Sequence, residues 1–161
     1  MKPKSYICDP LKLGVSLMTA IVSLILGSTL IYIARPFSAL LFFVIMLIFC
    51  YMASIYGSLI VLTEESVKRL FSRRILAEYK WNEIKEVGVI GTKAFAKNKH
   101  TGTLYIYISK TVLSKQERFD LVFSWPPKNK IFLTYDKERL EAIQLSYSSE
   151  IQTYNAGDIE I

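Results

Sequence analysis

The chain has 161 residues, enough for one small soluble domain plus a further segment, because single domains commonly run to about 100–150 residues. Apolar residues make up 52% of the chain and the mean hydropathy is +0.29, which excludes an ordinary soluble protein. The net charge is +6, and the single histidine and two cysteines exclude most metal sites and a disulfide framework.

The first apolar segment is enclosed by Lys12 and Arg35 and contains 22 uncharged residues. A bilayer core about 30 Å thick is crossed by about 20 apolar residues in a helix, so the sequence predicts a transmembrane helix over residues 13–34, preceded by a cytoplasmic tail over residues 1–12. A secretory signal peptide is the alternative. Its apolar region is usually about 7–15 residues long, and no Ala-x-Ala cleavage site precedes Arg35.

A second transmembrane helix is predicted over residues 37–57, separated from the first only by Arg35 and Pro36. Proline disfavours helix in the residue before it, so the pattern predicts a tight helical hairpin. Small residues spaced four, three and four apart make one narrow face of the first helix, and we expect this face to pack against Ala39 or Ala53 of the second. These small residues are Ser16, Ala20, Ser23 and Gly27.

The orientation of the hairpin is predicted from the basic residues near its ends. Three lysines precede the first span, and four basic residues follow the second, whereas the hairpin turn contains Arg35 alone. Because cytoplasmic loops are enriched in Lys and Arg, this distribution predicts that both termini are cytoplasmic. The four basic residues after the second span are Lys68, Arg69, Arg73 and Arg74.

Beyond the second span the pattern predicts a mainly β domain over residues 58–151, followed by a polar tail over residues 152–161. Asp136 is predicted to cap a helix that carries Leu140, Ile143 and Tyr147 on one face. Short antiparallel strands must close or stack to hide their edges, so we expect a barrel or sandwich capped by this helix. The predicted strands are 58–63, 66–72, 75–81 with Ile75, Ala77 and Tyr79 on one face, 87–90, 103–110, 121–125 and 131–135.

Two runs of sequence resemble the opening of bacterial PH-like domains: IVLTEESVKRLF at 60–71 and YKWNEIKEV at 79–87. Together the two runs give the order of those domains: a strand that ends in threonine and an acidic turn, a basic second strand, and an aromatic turn before the next strand. With a two-span hairpin, the layout is similar to that of small membrane-anchored bacterial PH-domain proteins, including the YcxB-like group. The resemblance implies a PH-like β-barrel or sandwich at a bacterial inner membrane, and it implies no catalytic residues.

The candidate ligand-binding residues are the basic pairs Lys68/Arg69 and Arg73/Arg74, which flank the second predicted strand. Beside a membrane span we expect them to contact anionic phospholipid headgroups, and the alternative is an ordinary solvated turn. A second basic cluster lies in a loop, at Lys93, Lys97, Lys99 and His100. Nucleic-acid binding is not predicted, because neither cluster combines interleaved aromatic side chains with a basic face.

The sequence contains no Gly-rich phosphate loop, Ser/His/Asp set or paired-carboxylate cleft, so we predict no catalytic residues, no metal and no cofactor. Two functional hypotheses follow. The first is a non-enzymatic, membrane-anchored interaction module whose PH-like domain binds a protein partner or an anionic lipid surface. The second is a small subunit of a membrane complex, such as a transporter or stress-response assembly, that acts through its helical hairpin.

Overall fold

The computed structural model describes residues 3–33, 35–91, 104–123, 130–147, 149 and 151–155, of which residues 119, 122–123 and 152–155 are described by their backbone only. The chain forms two compact units. The helical unit is Asp9–Ser58, and the β unit combines Met1–Cys8 with Leu59–Ile161.

The helical unit consists of α1, Pro10–Tyr32, and α2, Pro36–Tyr56. Each helix begins with a proline in its first turn, and Asp9 caps α1 by accepting a hydrogen bond from the backbone N–H of Lys12 at 2.9 Å. The backbone N–H of Asp9 donates to the carbonyl of Tyr56 at 3.1 Å, so the helices run antiparallel. Both are long and apolar enough to cross a bilayer, which confirms the prediction of two long apolar helices.

The first sheet contains β1, Lys4–Ile7; β2, Leu59–Leu62; β3, Ser66–Phe71; and β4, Arg74–Lys80. Its order is β1-β2-β3-β4 and every pair is antiparallel. Residues 1–12 were expected to form a tail, but the structure places Lys4–Ile7 in this sheet, paired with β2. A four-residue strand is too short for its alternation to identify it, so only its pairing with β2 reveals it.

The second sheet contains β5, Glu86–Gly91; β6, Leu104–Ser109; β7, Ile131–Thr134; and β8, Gln152–Asn155. Its order is β7-β6-β5-β8, with β8 parallel to β5 and the other pairs antiparallel. β8 lies in the predicted polar tail. Two helices complete the unit: α3, Lys115–Phe123, and α4, Lys137–Gln144. In the described residues the two sheets do not close into a barrel, so the barrel form of the prediction is wrong.

The strand predicted over residues 121–125 is wrong over residues 121–123, because Lys115–Phe123 is helical; residues 124 and 125 lie outside the described residues. Ser114 and Glu117 form a reciprocal capping box: the Ser114 hydroxyl accepts from the Glu117 N–H at 3.2 Å, and the Glu117 carboxylate accepts from the Ser114 N–H at 2.8 Å. This Ser-x-x-Glu spacing was the helix signal in the sequence, and it outweighs the β-forming residues that follow.

One apolar core lies between the two sheets and α4. The helix begins as predicted, with the Asp136 carboxylate accepting from the Glu138 N–H at 2.9 Å, and its Ile143 is buried in this core with Leu140 packed against it. Tyr147, predicted to lie on the same helix face, comes after the helix has ended but is also buried in the core. Burial of this apolar face holds α4 on the sheets. The other core members are Ile60, Leu62, Val67, Ile84, Val87, Val89, Ile106, Ile108, Ile131, Leu133 and Ala142.

Ile75 does not share a face with Ala77 and Tyr79, as the alternation had predicted. Arg69 pairs with Ala77, whereas the next residue, Leu70, pairs with Ile75, so β4 contains one extra residue at this point. Such a β-bulge reverses the facing of the residues before it. Ala77 and Tyr79 therefore pack against the core, while Ile75 points outward and is 54% exposed.

Candidate functional site

The first sheet has one end at which the chain leaves for the helical unit and returns from it. β1 ends at Ile7, and Ile7 pairs with Leu59, the first residue of β2. Leu59 in turn pairs with Leu70 near the end of β3. We call this the connecting end, defined by Ile7, Leu59 and Leu70. The turn between β3 and β4 projects from the same end, because only Phe71 separates it from Leu70.

This turn is tight and contains two residues in the left-handed region. Phe71 pairs with Arg74, and between them Ser72 and Arg73 have φ angles of 47° and 66°. Two-residue hairpins of this type match the twist of the flanking strands and normally carry Asn or Gly, because other residues pay about 1 kcal/mol or more for a left-handed conformation. Here the second of these two positions is occupied by an arginine, Arg73, in spite of this energetic cost. Arg73 and Arg74 are both exposed at its tip.

The other two residues of the predicted lipid contact have different environments. Lys68 forms an ion pair with Glu78 on the neighbouring strand, at 2.9 Å. Arg69 is fully buried, and its Nη1 donates to the carbonyl of Lys130 at 2.7 Å while its guanidinium lies 5.0 Å from the centroid of the Phe132 ring. Burial lowers the pKa of Arg69. Arg69 is therefore an interior residue, and its assignment to a lipid-facing surface is wrong.

The second basic cluster, Lys93, Lys97, Lys99 and His100, lies outside the described residues. In the helical unit, the small residues singled out on the first helix are the buried residues of α1: Ser16, Ala20, Ser23 and Gly27. Ala39 and Ala53 are buried on α2. A Cβ atom added to Gly27 would lie 3.3 Å from the Phe43 ring and 3.4 Å from Cβ of Phe42, so this face lies directly against α2.

A buried polar network that the sequence did not indicate joins β5, β6 and α3. Oε1 of Glu86 accepts from Arg118 Nη2 at 2.7 Å, from Arg118 Nε at 3.0 Å and from the Tyr107 hydroxyl, and Oε2 accepts from the Leu113 N–H at 2.6 Å. Arg118 Nε also donates to the Tyr107 oxygen at 3.1 Å. Glu86 and Arg118 are separated by 32 positions, which is why no local pattern could pair them.

The network keeps its charges although it is buried. Burial raises the pKa of Glu86, but hydrogen bonds from Tyr107, the Leu113 amide and Arg118 outweigh it, so the pKa lies below its ordinary value. Burial, and donation to Glu86, raise the pKa of Tyr107. Gly88, opposite Tyr107, makes room for the phenol, since a Cβ there would overlap the ring. We interpret the network as a clamp that holds α3 on the second sheet.

A shallow groove of about 390 Å³ lies near the start of β3 and is lined by Glu65, Ser66, Glu78, Lys80, Trp81 and Asn82. Three of these side chains form hydrogen bonds: Ser66 Oγ donates to Glu78 at 3.1 Å, and Trp81 Nε1 donates to the Thr63 carbonyl at 2.9 Å. Among the described residues, no three His, Cys, Asp or Glu side chains are grouped so as to hold a metal ion.

Comparison with known proteins found no matching family model, no matching curated protein and no matching solved structure.

Proposed function

We propose that this chain is a non-enzymatic, membrane-anchored interaction module of PH-like type whose β unit works on an anionic lipid surface. In this proposal α1 and α2 cross a bacterial inner membrane, the β unit is cytoplasmic, and Arg73 and Arg74 contact lipid phosphates. One observation carries the proposal: the register of the first sheet puts the exposed basic turn at the connecting end.

The chain length between the turn and the helices supports the contact. Leu70 is level with Leu59, and the tip of the turn is two residues further, so at about 3.3 Å per residue it extends roughly 7 Å beyond that level. Tyr56, the last residue of α2, is also only three residues from Leu59. If α2 spans the bilayer, these short chain lengths allow the two arginines to come within about a Debye length, 8–10 Å, of the headgroup layer. Each then contributes about 1 kcal/mol of attraction to an anionic surface.

The pairing of β1 with β2 supports, independently of charge, the placement of both hairpin ends on the same side of the membrane. The two strands precede and follow the helical hairpin, so both ends of the hairpin must emerge on one side of the membrane. Lys and Arg residues are concentrated on that side, which favours the cytoplasm. The alternative, a subunit that assembles through its hairpin, receives less support, because the small-residue face of α1 already lies against α2 within the chain.

The test uses the full chain in nanodiscs, with Cys8→Ser and Cys50→Ser so that a fluorophore can be attached at Ser72→Cys. We expect quenching by headgroup-labelled lipid to be strong in phosphatidylglycerol, weak in phosphatidylcholine, and reduced by 0.5 M salt. Arg73→Gln with Arg74→Gln should weaken the contact by about 2 kcal/mol, or about 30-fold in its equilibrium constant.

The matched control removes two other exposed charges from the β unit, Lys115→Gln and Lys137→Gln, and should leave the quenching unchanged. Quenching that is equal in the two lipids, or that falls equally in both double variants, would refute the specific role of the turn.

A further inference from the structure

The outward face of the first sheet is apolar at its connecting end. Ile60 and Leu62 of β2 are buried in the core. Leu59 precedes Ile60 in the same strand, so strand alternation points its side chain outward. Its cross-strand neighbours on the same face form a continuous row with one residue from each of the four strands. This apolar row is Ile7, Leu59, Leu70 and Ile75.

The row is open to its surroundings. Ile7 is 38% exposed, Leu59 is 43% exposed and Ile75 is 54% exposed, while Leu70 is partly buried between them. Phe71, the next residue of β3, is 40% exposed beside the basic turn, but strand alternation points it to the opposite face, so it does not belong to the row. Single exposed apolar residues are ordinary on protein surfaces, but a contiguous row across a whole sheet marks an interaction surface.

The next outward row is different, which confines the apolar surface to the connecting end. Moving one step along the same face, the four strands contribute Ser5, Val61, Lys68 and Glu78, with Lys68 and Glu78 paired as an ion pair. This mostly polar row is what the solvated face of an antiparallel sheet normally shows.

The β-bulge in β4 is what completes the apolar row. Without the extra residue, Ile75 would face inward with Ala77 and Tyr79, and the row would stop at Leu70. Bulges commonly re-aim a side chain at a functional surface. Here the bulge moves a large apolar side chain out of the core and into solvent, a change that costs stability unless something covers it.

We infer that the apolar row rests in the interfacial layer of the bilayer, among the glycerol groups and upper acyl chains, with Arg73 and Arg74 beside it at the phosphates. Two features identify lipid as the occupant. Ile7 and Leu59 lie within three residues of α1 and α2, so the row is continuous along the chain with the apolar hairpin. The adjoining turn is basic, which complements anionic headgroups. The inference rests on the proposed function, since it requires the hairpin to span the bilayer.

Site-directed spin labelling of the full chain in nanodiscs tests this placement. In the Cys8→Ser, Cys50→Ser background, one label replaces Ile75 and a control label replaces Lys80, which is exposed on the same strand and the same face. We expect the label at Ile75 to be accessible to oxygen and protected from a water-soluble nickel chelate, and the label at Lys80 to show the reverse. The same measurement at Ile7 repeats the test if a label at Ile75 disturbs the bulge.

The two proposals fail in different ways. The depth of the label at Ile75 should persist in phosphatidylcholine and in 0.5 M salt, whereas the contact of the basic turn should not. Nickel accessibility at both Ile75 and Ile7 equal to that at Lys80 would overturn the inference while leaving the charge-dependent contact of the turn intact. Protection from both reagents with dipolar coupling between labels would also overturn it, because a second copy of the chain would then cover the row.

Discussion

Glu86 offers the sharpest test of how the β unit is held together. Glu86→Gln keeps the size of the side chain but removes its charge, which leaves Arg118 with no carboxylate although its side chain is only 11% exposed. The new amide group also has one oxygen and one NH₂ group where the carboxylate had two oxygens. Its NH₂ group therefore faces another donor, either the Leu113 N–H or the N–H groups of Arg118. Breaking one partner of a buried ion pair costs about 3–5 kcal/mol, and we expect about 3 kcal/mol here, because the amide oxygen still accepts one bond.

Urea unfolding in mild detergent measures this loss. Both tryptophans, Trp81 and Trp125, lie outside the helical hairpin, so their fluorescence reports on the β unit alone. With a slope of about 1.5 kcal/mol per molar urea, a loss of 3 kcal/mol lowers the midpoint by about 2 M. The matched control is Glu141→Gln, which removes a carboxylate from an exposed ion pair with Lys137 and should cost less than about 0.5 kcal/mol. Equal midpoints for the two variants would refute the role of the network.

Two further measurements separate the ion pair from general damage. Adding Arg118→Met to Glu86→Gln should recover part of the stability, because the amide can then accept from Leu113 and donate to Tyr107 without an uncompensated charge. The pKa of Glu86 is lowered by folding, so its contribution is complete above its ordinary pKa of 4.5 and is lost as the pH falls through the folded-state pKa. The stability difference between the wild type and Glu86→Gln should therefore narrow in acid.

Two glycines carry the remaining predictions. Gly88→Ala should cost about 2 kcal/mol and lower the urea midpoint of the β unit by about 1–2 M, because the new methyl group overlaps the Tyr107 phenol. In a Tyr107→Leu background the same substitution should cost much less stability. An equal loss of stability in both backgrounds would contradict the assigned clash. Gly27→Leu should separate α1 from α2 and lower the melting temperature of the hairpin, measured by circular dichroism in detergent. Gly14→Leu is the control and should leave the melting temperature unchanged, since nothing lies within 4 Å of a Cβ at Gly14.

Features that depend on a continuous local segment could be predicted from the sequence. The two apolar helices follow from two long uncharged runs, and α4 follows from its Asp136 cap and apolar period, because each signal is complete within one helix. All six strands from β2 to β7 were also predicted, with ends that differ by at most one residue. The exception is α3: the Ser114–Glu117 capping box is present in the sequence, but the residues that follow were predicted as a strand from their β-forming side chains.

The sequence by itself thus determined two apolar helices, most of the strands, a capped C-terminal helix and a basic turn. Only the tertiary structure decided which of those residues can meet a ligand, because facing depends on pairing between segments far apart in the chain. Pairing of β1 with β2 brings Ile7 beside Leu59, and a single extra residue in β4 turns Ile75 outward. The same geometry buries Arg69 while leaving Arg73 and Arg74 exposed, because alternate residues of a strand point to opposite faces and the turn projects beyond the sheet.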